Sequence, residues 1–135
     1  MLQKLNSKRG GFTLVEIMIV VAIIALLASI AVPNFLRSRK RSQATQVLED
    51  LRLIDAAVDQ YAIENNKKKD DACAWADVQK YLKNGTRLYN SGGNDIIGNA
   101  FTVPAVDTTP VVPAATFTAL SDVAPKDFWG PYIAP

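Results

Sequence analysis

The stretch that leads into the longest apolar run of the chain reads Arg9-Gly10-Gly11-Phe12-Thr13-Leu14-Val15-Glu16. In residues 17–32, which follow it, no side chain is charged and Ser29 is the only polar one. As a helix, residues 12–35 would measure about 36 Å, which exceeds the roughly 30 Å of a bilayer's hydrocarbon core. The sequence therefore predicts a membrane-length helix near the start of the chain.

Glu16 is the one acidic residue inside this apolar segment. An unpaired carboxylate at the centre of a bilayer costs about 2–3 kcal/mol or more, and a charge in such a place usually has a partner. The nearest cations along the chain are Lys8 and Arg9 before it and Arg37 far beyond it. A free amino group, produced by cleavage before Phe12, would be a further partner.

Residues 8–16 resemble the class III signal of type IV pilins and type II secretion pseudopilins. The resemblance is close over residues 8–62 and general beyond them. It implies that a prepilin peptidase cuts after Gly11 and N-methylates the new N-terminal Phe12. It also implies that Glu16, together with Thr13, serves assembly, because the family's glutamate pairs with the N-terminal amine of a neighbouring subunit.

The resemblance also implies partners and location. The expected partners are further copies of the chain in a helical filament, the prepilin peptidase, the inner-membrane assembly platform, and the membrane itself before assembly. The precursor would lie in the inner membrane and the product in an extracellular pilus, or in a periplasmic pseudopilus if the chain is a pseudopilin. Two alternatives, a Sec signal peptide and an uncleaved signal anchor, leave Glu16 unexplained, and a membrane-anchored binding module that does not assemble is the third function considered.

The charge of the chain indicates its topology. The net charge is +2, and the predicted leader, residues 1–11, carries three basic residues and no acidic one. Without the leader the remaining side chains sum to −1. The basic excess therefore predicts a cytoplasmic leader by the positive-inside rule and does not indicate a nucleic-acid partner.

Pro33 and a basic cluster follow the apolar run. A proline inside a helix removes one backbone hydrogen bond, and in the resembled family it accompanies a bend or a local unwinding in the filament. The cluster consists of Arg37, Arg39, Lys40 and Arg41. These cations are candidates for ion pairs between subunits, with acids further along the helix as partners: Glu49, Asp50, Asp55 and Asp59.

The rest of the chain predicts an amphipathic helix and a small head. In residues 36–66 apolar side chains recur every three or four positions, which indicates that the long helix continues and packs one face on the head. A weaker apolar patch on the other side consists of Leu53, Ala56, Ala57 and Ile63. Residues 67–135 predict a short helix from Asp70-Asp71 and an antiparallel sheet from three β-prone runs: 99–106, 111–112 and 116–120. The expected fold class is α+β, with domain limits 1–11, 12–35, 36–66 and 67–135.

No catalytic constellation is visible in the sequence. Histidine is absent and Cys73 is the only cysteine, so sites built on histidine or on paired cysteines are excluded. Asp122 and Asp127 are too few for calcium, which takes six or more oxygen ligands. The sequence thus predicts a structural protein without cofactor or metal. Residues 127–132 resemble an aromatic turn of the major pseudopilins, in which an acid-rich calcium loop follows further along. No such loop follows here before Pro135, so the expectation is a pilus subunit rather than a pseudopilin.

Overall fold

The structure is a computed structural model that describes residues 10–135, so residues 1–9 of the predicted leader lie outside the described part. The described chain contains four α-helices: α1, Leu14–Glu64; α2, Trp75–Val78; α3, Arg87–Asn90; and α4, Ala114–Leu120. Two 3₁₀ segments complete the order, Gln79–Tyr81 after α2 and Lys126–Trp129 after α4. The chain forms two compact units with their boundary between Leu36 and Arg37, and α1 contributes residues to both.

The described part of the first unit is residues 10–36, which consist of a short non-helical lead and the apolar beginning of α1. The large apolar side chains of this part of α1 are at least half exposed, from Ile17 at 50% to Leu14 at 79%, and none of them is buried. By length and composition, α1 is the helix of the described chain that could cross a membrane. The prediction of a long apolar N-terminal helix is confirmed.

The second unit, Arg37–Pro135, has its own hydrophobic core. The α1 face predicted to pack on the head supplies a buried stripe: Ala44, Val47, Leu48, Leu51, Ile54 and Val58. Ala57, which was expected to lie off this stripe, is buried as well. The helix ends at Glu64, and Asn66 then adopts a left-handed φ of 49°, a conformation that asparagine tolerates better than most residues.

The predicted antiparallel sheet is wrong. Residues 10–135 contain no β-strand and only two isolated bridges, Asn94 with Ala100 and Val111 with Ile133. Pro104, Pro110 and Pro113 punctuate this region, and because proline has no N–H it cannot donate to a strand ladder. The head is therefore built from short helices and irregular segments, and the α+β class is not supported.

The third β-prone run, residues 116–120, is part of α4. The Pro113 carbonyl accepts a hydrogen bond from the Phe117 N–H at 2.9 Å, which closes the first turn. Thr116 and Leu120, one turn apart, are both buried. Burial of this face outweighs the β preference of the threonine and phenylalanine residues.

The short helix also begins later than predicted. Asp70 has a left-handed φ of 68°, and the Asp71 carboxylate accepts the Lys68 N–H at 2.8 Å, so both residues form a turn. Helix α2 starts at Trp75, where the Asp77 carboxylate accepts the Ala74 N–H at 3.3 Å. The helix-starting acid is thus Asp77, inside the first turn.

Candidate functional site

The expected cleavage position lies in exposed backbone directly before α1. Gly11 is exposed, and a Cβ placed on it would meet no atom within 4 Å. Phe12 is 85% exposed, and helical structure begins only at Leu14. The Gly11–Phe12 peptide bond is therefore accessible and non-helical, as a protease substrate needs to be.

Thr13 and Glu16 form a reciprocal pair of hydrogen bonds at the start of α1. The Thr13 N–H donates to Glu16 Oε2 at 2.8 Å, and the Glu16 N–H donates to Thr13 Oγ1 at 3.2 Å. This is a capping box, which satisfies two backbone donors that a helix start leaves free. The capping box was not predicted, although its sequence signal, threonine followed three residues later by glutamate, is present at Thr13 and Glu16.

The capping box changes the interpretation of Glu16. The carboxylate already has a local partner, so an intersubunit cation is not needed to explain its presence in an apolar segment. One carboxylate can nevertheless accept several hydrogen bonds, and Oε1 has no hydrogen-bond donor among residues 10–135. The arrangement thus leaves one oxygen of an acid available at the N-terminal end of α1.

Apolar side chains cover the whole circumference of α1 in the first unit. Residues at successive positions are all exposed, for example Ile23, Ile24, Leu26 and Leu27. A helix that is apolar all round normally lies in a protein core or in a membrane. In residues 10–36 the chain itself provides no such cover.

Pro33 lies inside α1, which continues through it. Because proline has no N–H, the Ser29 carbonyl loses the donor that would normally come from position 33. The Ser29 hydroxyl donates to the Leu26 carbonyl at 2.6 Å, which does not replace the donor that the Ser29 carbonyl lacks. The backbone around Pro33 is thus one hydrogen bond weaker than elsewhere in α1, and the bend expected there stays a prediction.

The basic cluster divides into paired and unpaired cations. Lys40 Nζ lies 3.0 Å from Asp122 Oδ2, and this hydrogen bond holds the pKa of Asp122 below its usual value. Within residues 10–135, Arg37, Arg39 and Arg41 have no carboxylate at ion-pair distance. Lys40 is therefore engaged inside the chain, and the three arginines are free for other partners.

Two of the four acids expected as intersubunit partners are engaged inside the chain. Glu49 pairs with Arg52 at 2.6 Å, and Asp50, which is 7% exposed, pairs with Arg87 on α3. Asp55 and Asp59 have no such cation among the described residues. Burial, and then the neighbouring charge of Asp59, raise the pKa of Asp55.

Asp95 is a buried acid that was not predicted as a functional or structural residue. Its Oδ1 accepts the N–H groups of Ile97, Gly98 and Asn99 at 2.8–2.9 Å, and its Oδ2 accepts the Thr116 hydroxyl. Gly98 adopts a φ of 104°, which a residue with a side chain rarely takes. The Asp-x-x-Gly spacing is the signal for this turn, whose role is to tie the loop to α4.

The aromatic turn at residues 127–132 packs into the head. Trp129 is fully buried, and its indole N–H donates to the Ala124 carbonyl at 3.2 Å. Tyr132 is also buried and lies near Asp55 of α1.

Among residues 10–135, no group of three or more acidic, cysteine or histidine side chains is arranged to hold a metal ion.

Comparison with known proteins identifies the N-terminal segment. Residues 6–32 match the model of the prokaryotic N-terminal methylation motif. The chain is 32% identical to the type IV major pilin protein PilA of Myxococcus xanthus, over 88% of this chain and 51% of that protein. It is 34% identical to the type II secretion system core protein G of Vibrio cholerae, over 67% of this chain and 62% of that protein.

A third relative is the type IV major fimbrial protein FimA of Dichelobacter nodosus, 37% identical over 53% of this chain and 46% of that protein. The chain spans about half the length of the curated relatives it matches. No solved structure matches the chain significantly.

Proposed function

We propose that this chain, which belongs to the family of type IV pilins and type II secretion pseudopilins, is a structural subunit of a type IV pilus-like filament. A prepilin peptidase cuts after Gly11, Phe12 is N-methylated, and the mature chains polymerise through the first half of α1. The precursor lies in the inner membrane and the product in an extracellular pilus. The chain is the substrate of an enzyme and is not itself one.

The exposed apolar surface of α1 carries this proposal. A 51-residue helix whose first part is apolar all round and uncovered must be buried in lipid or among other copies of itself. Because lipid is about as apolar as packed leucine, moving the helix from bilayer to filament costs little in apolar transfer. The filament is thus reachable from the membrane without exposing this surface to water.

Glu16 makes assembly selective. Its free Oε1 accepts the amine of Phe12 from a neighbouring subunit, while Oε2 keeps the capping bond to Thr13. Arg39, which has no internal partner in the described chain, pairs with Asp55 or Asp59 of a neighbour. Pro33 marks the place where α1 bends or unwinds in the filament.

The decisive experiment compares Glu16→Gln with the wild-type chain, with Thr13→Val as the matched control. Glutamine keeps a carbonyl acceptor for the Thr13 N–H but has no charge for an amine, whereas valine removes the capping hydroxyl and keeps the charge. Intact mass with N-terminal fragmentation of the sheared surface fraction is the readout. We expect methylated Phe12 at the N-terminus of the wild-type chain and of Thr13→Val.

Glu16→Gln is expected to be cleaved but to reach less than about a tenth of the wild-type filament yield, a loss of more than about 1.4 kcal/mol in assembly. A wild-type filament yield of Glu16→Gln would assign Glu16 to capping alone, because glutamine keeps the capping bond and loses only the charge. A chain that retains residues 1–11 in every fraction would contradict the proposed cleavage.

The second candidate is the major pseudopilin of a type II secretion system, because several relatives are core protein G and one of them aligns with two thirds of this chain. The larger share of the chain that aligns with a major pilin favours the pilus. A methylated chain confined to the cell envelope, with none in the sheared fraction, would decide for the pseudopilin.

A further inference from the structure

A groove on the second unit contains two of the three unpaired arginines that follow the apolar run. Its lining consists of Arg37, Ser38, Arg41, Asp122 and Val123, and its volume is about 420 Å³. Arg37 and Arg41 are one helical turn apart on α1, so both guanidinium groups face the same space. The Ser38 hydroxyl adds a further hydrogen-bond donor.

The carboxylate in this groove is neutralised. Asp122 accepts the hydrogen bond from Lys40 at 3.0 Å, and this bond, with a smaller contribution from Arg37, lowers the pKa of Asp122. The ion pair therefore persists at neutral pH and contributes no net charge. Two arginines remain, which gives the groove a charge of about +2 and a geometry suited to an oxyanion, since guanidinium binds phosphate in a bidentate fashion.

The position of the groove along the chain indicates the source of the phosphate. Arg37 directly follows Leu36, and residues 12–36 as a helix measure about 37 Å. The hydrocarbon core of a bilayer is about 30 Å thick, and with the headgroup layers it reaches about 40–45 Å. Arg37 and Arg41 thus stand at the depth of lipid phosphates when residues 12–36 cross the membrane.

We propose that the groove of Arg37, Ser38 and Arg41 binds the phosphate of an anionic phospholipid while the subunit lies in the membrane. The inference rests on the membrane insertion included in the proposed function and is independent of filament formation. The bound lipid must leave when the subunit enters the filament, so the site contributes to how firmly an unassembled subunit is retained.

Native mass spectrometry of the full-length protein in detergent, with added phosphatidylglycerol, tests the proposal. We expect retained lipid on the wild-type chain and about twenty-five-fold weaker retention on the double variant R37Q/R41Q, from about five-fold for each lost arginine. Arg39→Gln removes an arginine of the same helix that does not line the groove, and less than about threefold weakening is expected. The charge-preserving variant R37K/R41K should retain the lipid within about fivefold.

Asp122→Asn provides a test in the opposite direction. It removes the carboxylate but leaves Lys40 in place, so the groove gains one positive charge and lipid retention should rise about fivefold. Thermal unfolding of each variant, followed by tryptophan fluorescence, shows that the head is intact. Arg37, Arg39 and Arg41 are exposed and unpaired in the described chain. Asp122 is exposed too and pairs only with Lys40, so no large change in Tm is expected.

Three outcomes would overturn the proposal: equal loss of phosphatidylglycerol by R37Q/R41Q and Arg39→Gln, equal retention of phosphatidylcholine, or weaker retention by Asp122→Asn. Added inorganic phosphate distinguishes the two sources of the anion. Displacement of the lipid by millimolar phosphate would assign the groove to a soluble phosphate and reject the lipid. Filament yield is not part of the readout, so failure here leaves the proposed function standing.

Discussion

The two halves of α1 are both rich in apolar residues, yet one is exposed and the other forms the core of a folded head. In residues 12–36 apolar side chains occupy every side of the helix, and no face is left for solvent. In residues 44–59 they form a stripe, and polar residues such as Glu49, Arg52 and Asp59 occupy the exposed side. A chain can cover a stripe with its own head, but a helix that is apolar all round needs lipid or other subunits.

The largest expected effect comes from leucine deletions that compare the two halves. Leu51, 1% exposed, packs in the head core, whereas Leu27 is 62% exposed. Leu51→Ala should lower the free energy of unfolding of the head by about 3 kcal/mol, because it leaves a cavity. Leu27→Ala should change it by less than about 0.5 kcal/mol.

Urea unfolding of the detergent-solubilised chain, followed by tryptophan fluorescence from Trp75 and the buried Trp129, measures both values. A similar loss in the two variants would show that the first half of α1 supports the head, and the contrast between the halves would fail.

A smaller loss of stability is expected when a charged side chain in one half of α1 loses its partner. Glu16 is satisfied by Thr13 three residues away, whereas the buried Asp50 depends on Arg87, far along the chain. Arg87→Met leaves the Asp50 carboxylate without its cation and should cost about 2 kcal/mol, less than for a fully buried pair because Arg87 is partly exposed.

The matched control for Arg87 is Arg52→Met, which breaks an exposed pair with Glu49 and should cost less than about 0.5 kcal/mol. The same urea unfolding experiment measures both. Equal losses of unfolding free energy in the two variants would mean that water solvates the Asp50 carboxylate once Arg87 is replaced. The burial of Asp50 would then add no penalty.

The smallest effect concerns the edge of the α1 stripe, where Asp55 lies. Burial and the charge of Asp59 raise its pKa, so its protonated form is favoured in the folded state. The stability linked to this group is present below the ordinary pKa of 3.8 and is lost as the pH rises through the higher folded pKa. Asp55→Asn should therefore raise Tm at pH 7 and leave it unchanged below pH 3.8.

Thermal unfolding of both chains at the two pH values checks this result. Asp59→Asn should produce a smaller increase of the same sign, since it removes only the neighbouring charge. A lower Tm of Asp55→Asn at pH 7 would mean that the favourable contribution of the nearby Tyr132 outweighs the burial of the carboxylate.

The features predicted correctly from the sequence are those that depend on neighbours along the chain. The long helix, its apolar beginning and its buried stripe follow from periodicities of three and four residues. The capping box of Thr13 and Glu16 is equally local and could have been predicted. The start of α2 was missed because Asp70 and Asp71 suit a turn as well as a helix start.

By itself, the sequence determined that the N-terminal segment is a membrane-length apolar helix preceded by a Gly-Phe-Thr motif. Its length, its all-round apolar character and the motif are local properties that do not depend on contacts with the head. Only the tertiary structure decided the architecture of the head. Residues 116–120 are β-prone, yet they form a helix because Thr116 and Leu120 are buried together. The same holds for Lys40, whose partner Asp122 lies 82 residues away. Such choices depend on contacts between distant residues, and local preference, which is weak, does not encode them.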